Sequence, residues 1–506
     1  MDYQIVASWI IALAYFILLI VIGIWASRKI KSFESFIVAG RDLGFWVFTI
    51  LIVVSCMSGM TILGSSGLGY IAGWPTIWEQ IFVPLCCAVT ILLFGSKLHR
   101  IAFKNRYLTL QDYFAHRFES PRLIRAITGF AVFAVSLIYL VGQYTAVGIT
   151  LQRVLNISYQ NALIIGAVIV TFYVFFGGLY AVSWTSLVQG IILIVGVLIV
   201  APVIIVKAGG LTHINETLAS IDPNMVKIAY PQIHPPAAGY AFMTPLYILS
   251  FAFLLVLGLA SAPHVINNVL AARKNAYFKW APLAAFVIYI VIFYLIKVVG
   301  FASRTMVADG VIKLPVGVVN PQDFCFIVAV EHSFGPLVWT FFGMIVLAAV
   351  MSTTDRLLLT IGTSIGWDVY RNLIAPDATD NTVTWVSRGA IFVSAVLSLI
   401  LAIHPPALLA WLIWMGIGIM LCVFVTPILS GLYWKRANRN GAIWSMIIGL
   451  AGAIIFGYIG KYIAPLPFHF SFVPFLVSIV VMVLVSLLTQ PPSNSVIMET
   501  ETGPSF

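Results

Sequence analysis

VSCMSGMTILGSSGLGYIAG, residues 54–73, lies inside an apolar run long enough to cross a membrane, yet it is crowded with serine and glycine. A helix facing lipid has no use for Ser55, Ser58, Gly59, Gly64, Ser65, Ser66, Gly67 and Gly69 in one segment. Glycine weakens a helix interior, and hydroxyls compete with the backbone for its own hydrogen bonds. Irregular backbone at membrane depth is tolerated only where it faces protein or a watery cavity. Two readings stay open at this point. One is close packing between helices, which also favours small residues. The other is a broken helix whose freed carbonyls and hydroxyls hold an ion or a solute.

The chain around this stretch has 506 residues, 61% of them hydrophobic and only 9% charged. Soluble folds of that length carry more charge, so the sequence reads as an all-α polytopic membrane protein. Its net charge of +10 is better explained by loop charge that sets orientation than by a nucleic-acid partner. Cys56, Cys86, Cys87, Cys325 and Cys422 lie in or beside apolar runs, with no metal or disulfide spacing along the sequence, and read as packing residues. The first apolar run, 5–26, lacks a basic lead and a cleavage site, so it reads as a retained span rather than a signal peptide.

Hydropathy marks about thirteen spans, at 5–26, 44–71, 76–96, 126–152, 160–178, 184–206, 241–268, 280–302, 337–365, 385–403, 406–431, 441–460 and 468–489. With the N-terminus outside, Arg28, Lys29, Lys31 and Arg41, the basic loop 97–125, and Lys435, Arg436 and Arg439 all fall inside. That excess predicts an N-out, C-in topology, which an odd span count satisfies. The expected organisation is one transmembrane domain, 1–490, in the plasma or inner membrane. The short polar tail, 491–506, is expected to be disordered. The longest outside segments, 207–240 and 303–336, are placed to cap an outer vestibule.

Span seven is interrupted as well. It contains LVLGLASAPH, with Gly258, Ser261, Pro263 and His264 close together. Proline removes a backbone donor and frees a carbonyl, so the helix opens or kinks there. Five spans separate the two interrupted segments, and an odd number reverses the direction of insertion. The pattern is therefore an inverted 5+5 repeat, 44–206 against 241–431. Interrupted segments at matching places in two halves point to a transporter's central site.

Six stretches carry a resemblance: ESFIVAGRDLG (34–44), LTLQDYFAHRF (108–118), FFGGLYAVSWTSLVQ (175–189), APH (262–264), LAAVMSTTDRLLL (347–359) and GLYWKRANRNGA (431–442). They make the chain resemble the sodium:solute symporter family from about Phe33 to Gly449. Among its branches the pantothenate and proline symporters are the most similar, through the Pro-His pair of span seven and the 209–223 segment. The resemblance implies the LeuT-type fold with broken helices, agreeing with the topology already reached.

It also implies one sodium between the first broken helix and span nine. The ligands carried over are the carbonyls of Val54, Met57 and Ala349 and the hydroxyls of Ser352 and Thr353. Positions 349, 352 and 353 fall on one face of a helix, and a hard cation prefers oxygen. The competing reading is that Ser352 and Thr353 only bond back to their own helix. Two departures stand against a full family sodium set: Cys56 replaces an Asp of proline-type members, and Ser186 replaces an Asp common in span six. Asp355, one turn beyond Ser352, is a candidate for tuning cation release, since an ionisable residue at membrane depth is usually functional. Proton coupling stays open as the alternative.

The solute is expected beside the ion, between spans two, four and seven. The candidates are Ser55, Ser58, Gln143 and the opened backbone at Ala262–His264, with His264 either donating to the solute or packing behind it. Glu79 matches a sugar-contacting residue of distant family members, and equally suits the outer mouth. With no cationic cluster in view, a small organic acid such as pantothenate or a monocarboxylate is preferred over proline. No organic cofactor and no enzymatic activity are expected. The eight histidines are scattered without ligand spacing. Neither a pore-lining ring nor a signalling domain is visible, which disfavours a channel or a sensor. The functional unit expected is a single chain.

Overall fold

The computed structural model describes residues 3–231, 243–316, 318, 320–404 and 409–500. Along the first half run α1 (Val6–Ser27), α2 (Phe45–Cys56), α3 (Met60–Ala72), α4 (Trp74–Asn105), α5 (Leu123–Leu155) and α6 (Tyr159–Lys207). There follow α7 (Pro245–Gly258), α8 (Pro263–Ala271), α9 (Ala281–Ala308), α10 (Val338–Ile374) and α11 (Asp380–Ala402). The chain closes with α12 (Ile413–Tyr433), α13 (Arg439–Ile463) and α14 (Phe472–Leu488). Among the described residues nine helices are long and apolar enough to cross a membrane, or eleven when each bent pair is taken as one span. The bent pairs are α2–α3, at 58°, and α7–α8, at 44°.

These numbers are lower than the thirteen expected, and two elements account for the gap. The 49-residue α6 covers both expected spans 160–178 and 184–206. At about 1.5 Å per residue its length is more than twice the ~30 Å hydrocarbon core. It kinks at Gly178, whose φ is +48°, and a Cβ there would lie 2.6 Å from the Phe36 carbonyl oxygen. The second element, α14, has 17 residues and is short for a span.

At the first break the backbone amides are diverted one after another. Ser58 N–H donates to Thr61 Oγ1 at 2.9 Å and Gly59 N–H to Gln143 Oε1 at 2.9 Å. Met60 N–H goes to Ser58 Oγ at 3.1 Å, and Thr61 N–H to the Ser58 carbonyl at 2.9 Å. A continuous helix would have sent these donors to the carbonyls of Val54, Ser55, Cys56 and Met57. Those four oxygens are released instead. At the second break Pro263 has no N–H to give, and the chain restarts as α8 with Val265 and Ile266 both bonded to the Ala262 carbonyl. A wide π-type turn, Met60–Gly64, follows the first break, whereas Leu254–Gly258 precedes the second. Turns of this kind recur at functional sites.

The centre of the molecule is α10, whose apolar window is 100% buried, against 33% for α1 and α13. Helices α3 and α9 cross so closely that a Cβ on Gly300 would lie 2.2 Å from the Ser66 carbonyl oxygen. At one end of the broken pairs, Leu43 N–H donates to the Ala271 carbonyl at 3.1 Å. Arg273 N–H returns a bond to the Leu43 carbonyl at 3.0 Å. The opposite end of α3 is covered by the segment after Lys207. Trp74 Nε1 donates to Asn215 Oδ1 at 2.7 Å, Trp78 Nε1 to the Ile228 carbonyl at 2.7 Å, and Tyr230 Oη to the Ala72 carbonyl at 3.2 Å.

The tail departs from the expectation of disorder over residues 494–500. Asn494–Thr500 is helical, buries Val496, and places Glu499 Oε2 2.8 Å from His116 Nε2. An apolar side chain and an ion pair with the Leu110–Arg117 helix offset the cost of ordering it. Residues 501–506 lie outside the described residues. So do 241–242 at the expected start of the second half, and 405–408 at the expected join of spans ten and eleven.

Candidate functional site

Of the released carbonyls, that of Met57 meets α10 and that of Cys56 meets Tyr289 on α9. Thr353 Oγ1 donates to the Met57 carbonyl, joining the break to α10 through a single hydroxyl. One turn back, Ser352 Oγ donates to the Ala349 carbonyl at 2.9 Å. The cation ligands expected at Met57, Ala349, Ser352 and Thr353 are thus linked in pairs, all fully buried. Val54 lies on the same turn with its carbonyl relieved of the Ser58 amide. The atoms in these two bonds are carbonyl and hydroxyl oxygens, with no carboxylate among them. The Ser352 bond does run back along its own helix, as the competing reading required. Thr353 crosses to a different element, which that reading did not require.

Asp355 is buried, accepts from Tyr173 Oη at 3.1 Å, and keeps its second oxygen, Oδ1, unpartnered. It makes no ion pair with the adjacent Arg356. That guanidinium turns the other way, donating to Ser186 Oγ on α6 and to the Ser352 carbonyl. Ser186 is thereby engaged by a cation.

On the solute side, Gln143 reaches the break directly, with its oxygen on Gly59 N–H and its Nε2 buried without a partner. His264 is 2% exposed, packs edge-on to Tyr139 with centroids 5.5 Å apart, and has both ring nitrogens unpartnered. Ser58 Oγ is already an acceptor for Met60 N–H. Ser55 is committed further: its hydroxyl donates to the Leu51 carbonyl and accepts from Asn268 Nδ2 at 2.9 Å. Glu79 is neither exposed at the mouth nor free for a solute. It is 2% exposed and accepts from Lys297 Nζ at 3.0 Å and from Ser65 Oγ at 3.0 Å. Lys297 also donates to the Ser65 carbonyl at 2.8 Å, so the pair ties α3, α4 and α9 together.

Several residues at the site were missed in the sequence. Asn268 and Tyr289 bridge elements, the latter donating to the Cys56 carbonyl at 2.8 Å. Lys297, a lone cation inside an apolar run, is the one that carried a readable signal. The fold also gathers Cys56, Cys86 and Cys87, whose sulfurs lie within 4.8 Å of one another, with Cys56 Sγ 3.4 Å from Cys86 Sγ. Their separation in sequence concealed this. Three thiols suit a soft cation, so they stand apart from the oxygen cluster.

Comparison with known proteins identifies the family and the fold. The model of the sodium:solute symporter family matches residues 36–449. A sodium/proline symporter of Escherichia coli (strain K12) is 28% identical over 485 residues, covering 94% of this chain and 92% of that protein. The osmoregulated proline transporter of Bacillus subtilis (strain 168) is 26% identical over 488 residues, covering 95% and 94%. A solved structure of a Na+-coupled sialic acid symporter, substrate-bound and outward-open, superposes with a TM-score of 0.76 at 16% identity, covering 96% of this chain and 98% of the other. A nucleobase-cation-symport-1 family transporter in a closed conformation gives 0.54 at 14% identity, covering 92% and 97%. At such identities the likeness speaks for the fold, that of the LeuT-type helical transporters. The match across most of the length, together with an all-helical fold of apolar spans with two broken helices, makes this chain a multi-pass membrane transporter of the sodium:solute symporter family.

Proposed function

We propose that the chain carries one sodium ion and a small carboxylate-bearing solute together, by alternating access, through the break between α2 and α3. The observation that carries this reading is the Thr353 hydroxyl on the released Met57 carbonyl, which makes a cation site out of two elements. An ion bound there links the break to α10, and the solute beside it meets Gln143 and His264. Sodium is the family's coupling ion, and a carboxylate-free oxygen cluster fits it. In this reading α6 counts as two spans and α14 as one, giving thirteen, N-out and C-in, in the cell membrane. The inverted repeat pairs 44–206 with 241–431, and the bent helix pair near the start of each half supports it. A single chain is the functional unit.

The preference for pantothenate gains no support from the relatives named above, which are proline transporters. Proline is therefore the second reading, with Cys56 in place of the acid of proline-type members as the point against it. The deciding experiment follows thermal unfolding of the purified full-length protein with L-proline, pantothenate or pyruvate, each in sodium chloride and in choline chloride. Ligands that bind the native state raise the melting temperature by mass action. The expected result is a shift for one solute that appears only with sodium. A solute shift indifferent to sodium but moved by pH transfers the coupling role to protons.

A further inference from the structure

Arg356 makes no ion pair, and the neighbouring Asp355 acts on it only through space while bonding Tyr173. Arg356 is 1% exposed, and among the described residues no carboxylate oxygen comes within ion-pair distance of its guanidinium. Its guanidinium donates to two neutral oxygens, Ser186 Oγ and the Ser352 carbonyl, and its Nε–H has no partner. Asp355 is the next residue along the helix, but consecutive side chains diverge, and its bond is to Tyr173. A buried cation left in this state is costly until an anion joins it. The guanidinium fork is also the side chain best shaped to receive a carboxylate.

A small cavity opens beside it, lined by Arg356, His264, Asn267, Asn268, Thr360 and Thr363. His264 faces this cavity with both ring nitrogens unpartnered, so a neutral imidazole offers one N–H to it. Ile37 and Leu179 close the cavity on the side of the 28–44 loop. Asn268 joins it to the first break through Ser55. It therefore lies next to the proposed ion site and towards the loop that the charge distribution places inside.

From this arrangement we infer that Arg356 and His264 form an anion site which receives the carboxylate of the transported solute on its way to the side of the 28–44 loop. This inference rests on the proposed symport and adds to it the two side chains that receive the carboxylate of the cargo. A carboxylate there takes the Arg356 Nε–H and one His264 N–H, replacing the water that a neutral solute would leave behind. It also supplies the cationic partner for the solute that the sequence did not reveal.

The test measures affinities of L-proline, pantothenate and pyruvate for the purified full-length protein by thermal shift in sodium methanesulfonate, with choline methanesulfonate as the sodium-free arm, sodium chloride as the chloride arm and prolinamide as the uncharged-carboxyl control. Monodispersity on size exclusion checks folding of each variant. The expected result is that a carboxylate binds, prolinamide does not, Arg356→Gln weakens binding at least tenfold, and His264→Asn weakens it several-fold. If Arg356→Gln does not fold, His264→Asn carries the test alone. Unchanged carboxylate affinity in a folded variant overturns the inference, as does failure of all three carboxylates to bind the wild type. Stabilisation by chloride, with no carboxylate effect, also overturns it, making the site one for an inorganic anion. Absence of any sodium effect on the wild type sinks the symport reading separately, so the two failures are distinguishable.

Discussion

Thr353 holds the site together with one hydroxyl. Its neighbour Ser352 bonds within its own helix, but Thr353 reaches the Met57 carbonyl across the break. Thr353→Ala is expected to raise the half-saturating sodium concentration about tenfold, equivalent to ~1.4 kcal/mol, while Thr353→Ser retains the oxygen and most of the affinity. Sodium-dependent thermal shifts measure both. Asp355, with one oxygen unpartnered, is expected to tune ion release, so Asp355→Asn changes apparent sodium affinity several-fold. Unaltered sodium dependence removes it from the mechanism. These residues were legible because 349, 352 and 353 share a helix face whatever the rest of the chain does. The commitment of Ser55 and Glu79 was not legible, because their partners Asn268 and Lys297 come from helices more than 200 positions away.

At the scale of the elements, α3 and α9 are joined by contact and by charge. Gly300 lets the backbones meet, and the Lys297–Glu79 pair sits beside that crossing. Gly300→Ala drives a methyl into the Ser66 carbonyl and is expected to destabilise the fold by ~1–3 kcal/mol, read as a lower melting temperature. Glu79→Gln strands a buried ammonium, and ~3–5 kcal/mol is the expected loss. The double variant with Lys297→Met is expected to recover much of it, because the charge left alone is gone. Both breaks were readable from Ser, Gly and Pro inside apolar runs. The continuity of α6 through Gly178 was not, since a glycine-rich stretch between two apolar runs looks like a loop until the Phe36 carbonyl is seen against it. The helical tail was hidden for a related reason, as its docking surface lies almost 400 residues earlier.

For the whole molecule, the coupling follows from charge. Cys56 and Ser186 stand where family acids would hold further cations, so a single sodium per cycle is expected. Sodium activation of uptake in proteoliposomes should then be hyperbolic; a sigmoid curve would require a second ion. One charge crossing 100 mV contributes about 2.3 kcal/mol. A zwitterion such as proline moved with one sodium draws on that term, and its uptake should rise with an inside-negative potential. A monoanion moved with one sodium is electroneutral and should ignore it. Potential dependence thus reports the charge of the cargo without its identity.

The paired bonds between Leu43 and the Ala271–Arg273 backbone bear on how such a cycle turns over. They stitch a residue two positions ahead of α2 to the C-terminal end of α8 and the residue two beyond it, peptide to peptide. No side chain takes part, so substitution leaves the seam intact unless proline removes an amide. The two bent rods therefore share a hinge pin. On this face, tilting one without the other breaks both bonds, at about 1 kcal/mol each, which biases the two to move together.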